Sequence, residues 1–333
     1  MRPKVYIGEL LPEKKSYLPI LYPNLGRQHK PDRLFLDRAY DVLHEPIVEI
    51  VSDPALCDYF LLPYDYFNIE KFTKYLSNFS ELAQKYDKKV LIFDFSDFDR
   101  KIDIPNSVQF RVSLYKSSKR ENERENEFAI PPFVENLEAF EPRNKSEVPV
   151  VGFVGFSKFS WRGLLSSGPR RPGLYFRHRA VKILKNSRDI VTNIKERSGY
   201  AGHKDTIGMD PEVARREYLD NICNSDLVLC VKGDGNYSIR FFETLALGRI
   251  PILIDTDCSL PLEEEIDYDK FILRVDYRDL EKLPEIISNW WQNISNEDFE
   301  SMQKQAREAF ENYLRMDKFL PRIFEQAHKS HEL

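Results

Sequence analysis

The stretch SDLVLCVKGDGNYSIRFFETLALGRIPILID, residues 225–255, decides the fold. Its apolar run Leu227 to Val231 reads as a buried strand, KGDGN as a glycine-bearing turn at the strand's carboxyl end, and Ile239 to Leu247 as a helix. Gly248 supplies the helix stop, and IPILI (Ile250 to Ile254) returns at once to a buried strand. A strand, glycine turn, helix and strand in this order build an open α/β sheet, whose ligands bind at the carboxyl edge of the strands. Ser238 stands at the N-cap position, so Ile239 and Arg240 open the helix and its free backbone N–H groups, with Gly235 in the turn before it, point into that crevice.

Such a helix end favours an anion, and the Arg240 guanidinium adds a planar fork suited to phosphate. Glu243 lies three residues on, on the same face, where its carboxylate can accept hydrogen bonds from both hydroxyls of a ribose. The competing reading is an exposed i, i+3 ion pair, worth only ~0.2–0.5 kcal/mol. Two features favour the ligand site: Phe241, Phe242, Leu245 and Ala246 face the helix toward a core, and the helix starts where the glycine turn ends.

Working outward, the series to which this unit belongs begins at VPVVGFVGF (Val148 to Phe156) and passes through a loop rich in Gly, Ser, Arg and Pro. Helical segments are expected over Phe176 to Lys195 and Pro211 to Asn224, a last strand over Phe271 to Val275, and largely helix from Leu280 onward. Upstream, Val5 to Ile7, Asp58 to Pro63, Lys89 to Phe95 and Val108 to Tyr115 read as strands, with helical spacing over Ile69 to Tyr86. The charged run KSSKRENEREN (Lys116 to Asn126) lacks apolar periodicity and reads as a solvated loop. Pro131, Pro132 and the polar stretch Glu141 to Glu147 mark a linker. The chain is therefore expected to be α/β, with two Rossmann-like domains facing across a cleft. Residues 1–145 form the first and 146–311 the second, with a C-terminal helix over 312–333 packing back on the first.

The 333 residues, 42% hydrophobic, are ample for two cores. A formal net charge of −5 with signs mixed along the chain sets up no basic face for phosphate backbones, so nucleic acid is not expected as a partner. The four cysteines lack metal-ligand spacing, the N-terminus has the form of neither signal peptide nor membrane span, and the expected location is the cytoplasm.

The 225–255 segment resembles the signature of the exostosin family: an apolar strand, a short glycine loop, Ser-x-Arg at the helix start with Glu three residues on, then Gly248, Ile250 and Pro251. Pro261, the acidic run and IDYDKFILRV (Ile266 to Val275) resemble its continuation, and DYFLLP resembles a weaker N-terminal motif. The resemblance spans roughly residues 148 to 310 and implies a GT-B architecture. It also implies inverting transfer of a sugar from a nucleotide donor, with Arg240 on the diphosphate and Glu243 on the ribose. Ile239 and Arg249 depart from residues common in the family, proline and cysteine, which bears on donor and acceptor identity.

Other candidates follow from that chemistry. Gly152 and Gly155 form a turn that lets backbone approach a phosphate, and Arg162 and Arg177 are chosen from a dense arginine cluster to stabilise the departing diphosphate. A general base is expected from the first domain, from Asp65, Asp94 or Asp97 at the ends of its strands. Asp255 and Asp257 resemble a DxD metal motif but follow an internal strand, so neither Mg²⁺ nor Mn²⁺ is expected. The expected activity is metal-independent transfer from a nucleotide-sugar, a UDP-sugar by preference, to a glycan or glycolipid, with peripheral membrane association through the acceptor. Two alternatives share the fold: a non-catalytic nucleotide- or glycan-binding protein, and a metal-dependent retaining transferase.

Overall fold

The computed structural model describes residues 2–12, 15–27, 33–121, 124–137, 141–159, 166–199, 202 and 206–329. Six short strands make the first sheet: β1 (Lys4–Tyr6), β2 (Glu49–Ile50), β3 (Tyr59–Leu61), β4 (Val90–Asp94), β5 (Ser107–Arg111) and β6 (Glu127–Ala129). They run in the order β2-β1-β3-β4-β5-β6, and every pairing is parallel. Five strands make the second: β7 (Val150–Phe156), β8 (Val191–Arg197), β9 (Leu227–Cys230), β10 (Ile250–Asp255) and β11 (Leu273–Asp276). Their order is β11-β10-β9-β7-β8, again all parallel. Central strands are buried along their whole length, as in β4 and β9, because helices cover both faces of a parallel sheet.

The helix after β9 spans Ile239–Ala246 and buries Phe241, Phe242, Leu245 and Ala246, the face expected from the sequence. Gly248 ends it in the left-handed region at φ 56, donating to Leu245 O while Arg249 N donates to Thr244 O. These two bonds form a Schellman motif that satisfies the last carbonyls and turns the chain straight into β10. The C-terminal segment returns to the first half, where the Phe319 ring meets Phe133 at 6.0 Å and Phe324 meets Tyr59 at 5.7 Å.

Two expectations are corrected. The segment Phe176 to Lys195 is not one helix: the helix covers Gly173–Lys185, and Val191–Arg197 is the edge strand β8, whose exposed side chains gave it a polar, strand-unlike composition. The charged run is not simply a solvated loop, since Lys116–Glu121 is helical and the Arg124 side chain is buried. Arg124 is held by Glu127 at 2.6 Å and Asp99 at 2.8 Å, so its charge is compensated inside the fold.

Candidate functional site

The carboxyl ends of β7 and β9 open on a cavity of about 440 Å³ between the two sheets. The second half supplies Gly155, Arg177, Ser238, Arg240 and Glu243; the first half supplies Asp97 and the Arg33–Phe35 segment. Five arginines (33, 177, 197, 215 and 240) face the cavity against three carboxylates (Asp97, Asp234 and Glu243), which makes it a positive enclave in an acidic chain.

Arg240 lies over the Phe153 ring, its guanidinium carbon 4.2 Å from the centroid, and donates to Leu229 O at 3.3 Å and Val154 O at 2.5 Å. These contacts fix the plane of the guanidinium at the strand ends while leaving donors for a ligand. Gly155 packs closely beside it, where a Cβ would sit 3.1 Å from Nη2 of Arg240. Arg177 is anchored the same way, donating to Phe156 O at 3.0 Å and Lys232 O at 3.4 Å. Arg33, from the other side of the cleft, donates to Pro132 O at 3.4 Å. Arg162 lies outside the described residues.

Glu243 is not paired with Arg240. Its two oxygens accept from Arg215 Nη1 and the Tyr218 hydroxyl, each at 2.6 Å, in a pocket that leaves it buried. Burial alone would raise its carboxyl, but Arg215 and Tyr218 outweigh this and hold it below the ordinary carboxylate range. An ionised, oriented carboxylate at the cavity wall keeps lone pairs for a hydroxyl ligand. Arg215 also reaches Glu135 of the first half at 3.0 Å, which ties this wall to the domain seam. Ser238 holds the N-cap backbone geometry, with φ −132 and ψ 113, but its side chain makes no capping bond, contrary to expectation. Ser238 is nonetheless among the residues that line the cavity.

The three candidate bases part company. Asp97 is exposed at the cavity, and its Oδ1 accepts from Gly235 N at 3.1 Å across the cleft. Gly235 permits this approach, because a Cβ there would stand 2.8 Å from that oxygen. Asp94 is corrected to a structural residue: it is 1% exposed, with Oδ2 on Arg111 at 3.2 Å and Oδ1 taking Ser96 N at 3.0 Å. Asp65 also lies off the cavity lining, bound by Phe95 N and Asn68 Nδ2, and burial pushes its carboxyl up to about 7. The DxD carboxylates are likewise engaged, Asp255 by Arg274 at 3.1 Å and Asp257 by Ser117 N at 2.9 Å.

Sequence reasoning missed Arg215, Tyr218 and Arg33. The first two are i, i+3 on the Pro211–Cys223 helix, a spacing that put an arginine and a tyrosine on one face. Arg33 carries no local signal; only the tertiary fold brings it to the cleft.

Among the described residues, no helix is long and apolar enough to cross a membrane. The sequence profile of the Exostosin GT47 domain matches residues 3–290. The chain is 30% identical over 139 residues to an exostosin-1 homolog of Caenorhabditis elegans, an alignment covering 40% of this chain and 35% of the worm protein. It is 30% identical over 102 residues to exostosin-1 of Drosophila melanogaster, covering 31% and 13% respectively. The aligned region thus spans about a third of the worm relative and far less of the fly one. Among solved structures, HepE of Anabaena in complex with UDP aligns over 100% of this chain and 99% of its own, with 11% identity and a TM-score of 0.41. With a domain profile spanning both sheets and the cleft between them, the chain belongs to the exostosin GT47 family of glycosyltransferases, its fold two all-parallel α/β sheets.

Proposed function

We propose that this protein transfers a sugar from a nucleotide-diphosphate donor, a UDP-sugar by preference, to a hydroxyl of a glycan or glycolipid, with inversion and without a metal ion. The observation that carries the reading is the shared cavity, where the anchored Arg240 and Arg177 and the oriented Glu243 face Asp97 from the opposite sheet. In this reading Glu243 accepts the ribose hydroxyls, and the guanidinia of Arg240, Arg177 and Arg33 take the diphosphate. Asp97 accepts the proton of the acceptor hydroxyl as its oxygen bonds to the anomeric carbon. The bond from that carbon to the phosphate oxygen breaks, and its electron pair leaves with the diphosphate, where fixed positive charge stabilises it without a cation.

Asp97→Asn tests the base assignment, because the amide oxygen can still accept from Gly235 N while losing the proton acceptor. Transfer is expected to fall by roughly 10²–10⁴-fold with UDP affinity retained. Undiminished transfer in that variant would remove Asp97 from the mechanism. Activity surviving EDTA is the expected result for metal independence, and its loss would favour the retaining, metal-dependent alternative.

A further inference from the structure

We infer that Phe67 and Phe98 form a stacking platform for a pyranose ring of the acceptor glycan, an inference that rests on the proposed transfer reaction. Phe67 and Phe98 are the aromatic residues among the strongly exposed large apolar side chains of the described residues, at 42% and 55% exposure. Their rings lie 5.8 Å apart at 35°. Single exposed apolar residues are ordinary, but two aromatic rings in contact with each other and open to water form a small apolar surface that awaits a partner.

The loop that carries Phe98 is not loose. Phe95 N donates to Asp65 at 3.0 Å, Ser96 N to Asp94 at 3.0 Å, and Ser113 Oγ to Asp97 O at 3.1 Å. The fully buried Arg111 donates to Phe98 O at 2.9 Å and Arg100 O at 2.5 Å, while Arg124 holds Asp99 at 2.8 Å. A buried ion network therefore presents Phe98 to solvent by fixing its backbone at both flanks. A pre-fixed ring binds with little further entropy cost. The same buried arginines thus fix a loop that exposes Asp97 at the cavity and the Phe98 ring beside it.

Position selects the occupant. Asp97, the residue before Phe98, lines the donor cavity while neither ring does, so the pair stands beside the cavity, following β3 and β4 at the carboxyl edge of the first sheet, where an acceptor longer than one sugar would extend. A pyranose presents hydroxyls at its edge and an apolar C–H face, so a glycan can set one sugar's hydroxyl toward Asp97 while the C–H face of another sugar rests on phenyl. Arg100, 5.5 Å from the Phe98 ring and ion-paired with Glu70, supplies polar groups at the platform's rim.

The test uses the full chain with UDP at saturation and β-1,4-linked glucose, N-acetylglucosamine and mannose hexasaccharides as probes, read by saturation-transfer NMR and titration. At least one hexasaccharide should bind, and Phe98→Ala and Phe67→Ala should each weaken it roughly tenfold, about 1.4 kcal/mol. UDP affinity should stay within twofold, which separates this inference from the donor site: wild-type protein that fails to bind UDP defeats the proposed function itself. Glycan binding equal to wild type in both variants, or no bound hexasaccharide while UDP binds, overturns the platform. So does self-association in sedimentation that Phe98→Ala abolishes, since the patch would then belong to a second copy of the chain.

Discussion

Replacing Arg240 by methionine isolates what its guanidinium contributes. Methionine keeps an unbranched side chain over the Phe153 ring, now 4.2 Å beneath the guanidinium, but removes the charge and every donor. Of five N–H donors, one on Nη1 and one on Nη2 are used on Leu229 O and Val154 O and Nε is buried, so two hydrogens, one on each Nη, remain for a ligand. One or two of these on a diphosphate are charge-assisted bonds, together worth about 2–3 kcal/mol after the cost of desolvation. UDP should therefore bind roughly 30- to 150-fold more weakly in calorimetric titration. Arg240→Lys, which keeps the charge but not the fork, should fall between, at roughly tenfold. Thermal melts show whether each variant is folded. A folded Arg240→Met protein that binds UDP within threefold of wild type would refute the reasoning.

Tyr218→Phe removes the hydroxyl held 2.6 Å from Glu243 and leaves one buried carboxylate oxygen short of a donor, so a loss of about 1–3 kcal/mol in urea unfolding is expected, with weaker UDP binding. Unchanged stability and affinity would show that Glu243 does not depend on it. Asp65 carries a pH signature of definite sign: its carboxyl keeps its proton in the fold up to about pH 7 but loses it near 3.8 when unfolded. Its contribution is thus whole below about pH 4 and is lost as pH rises to about 7, by at most about 4 kcal/mol. Asp65→Asn should flatten that slope in melts taken across the range, and an unaltered slope would assign the titration elsewhere.

The parts of the fold and site legible in the sequence are those written locally. The β9-turn-helix-β10 unit could be read because its strands are apolar as far as Ile254, its helix has one fatty face, and Gly248 sits where a Schellman motif needs a left-handed residue. Arg240 and Glu243 could be read because one short helix carries both. The partner of Glu243 could not, since Arg215 comes from a different helix and meets it only in the tertiary structure. Asp94 looked like a cleft residue because it ends a strand, yet Arg111 on the neighbouring strand claims it. Arg124 looked solvated because the carboxylates that hold it both stand outside its own run, at Asp99 and Glu127. In each case an ion pair between elements reassigned a charge that composition alone left at the surface.

The most direct measurement is a crystal structure of the protein grown with UDP. The diphosphate should lie within hydrogen-bond reach of Arg240, with the ribose hydroxyls on Glu243 and the terminal phosphate facing Asp97 across the cleft. UDP bound outside this cavity, or inside it with neither side chain in contact, would contradict the account.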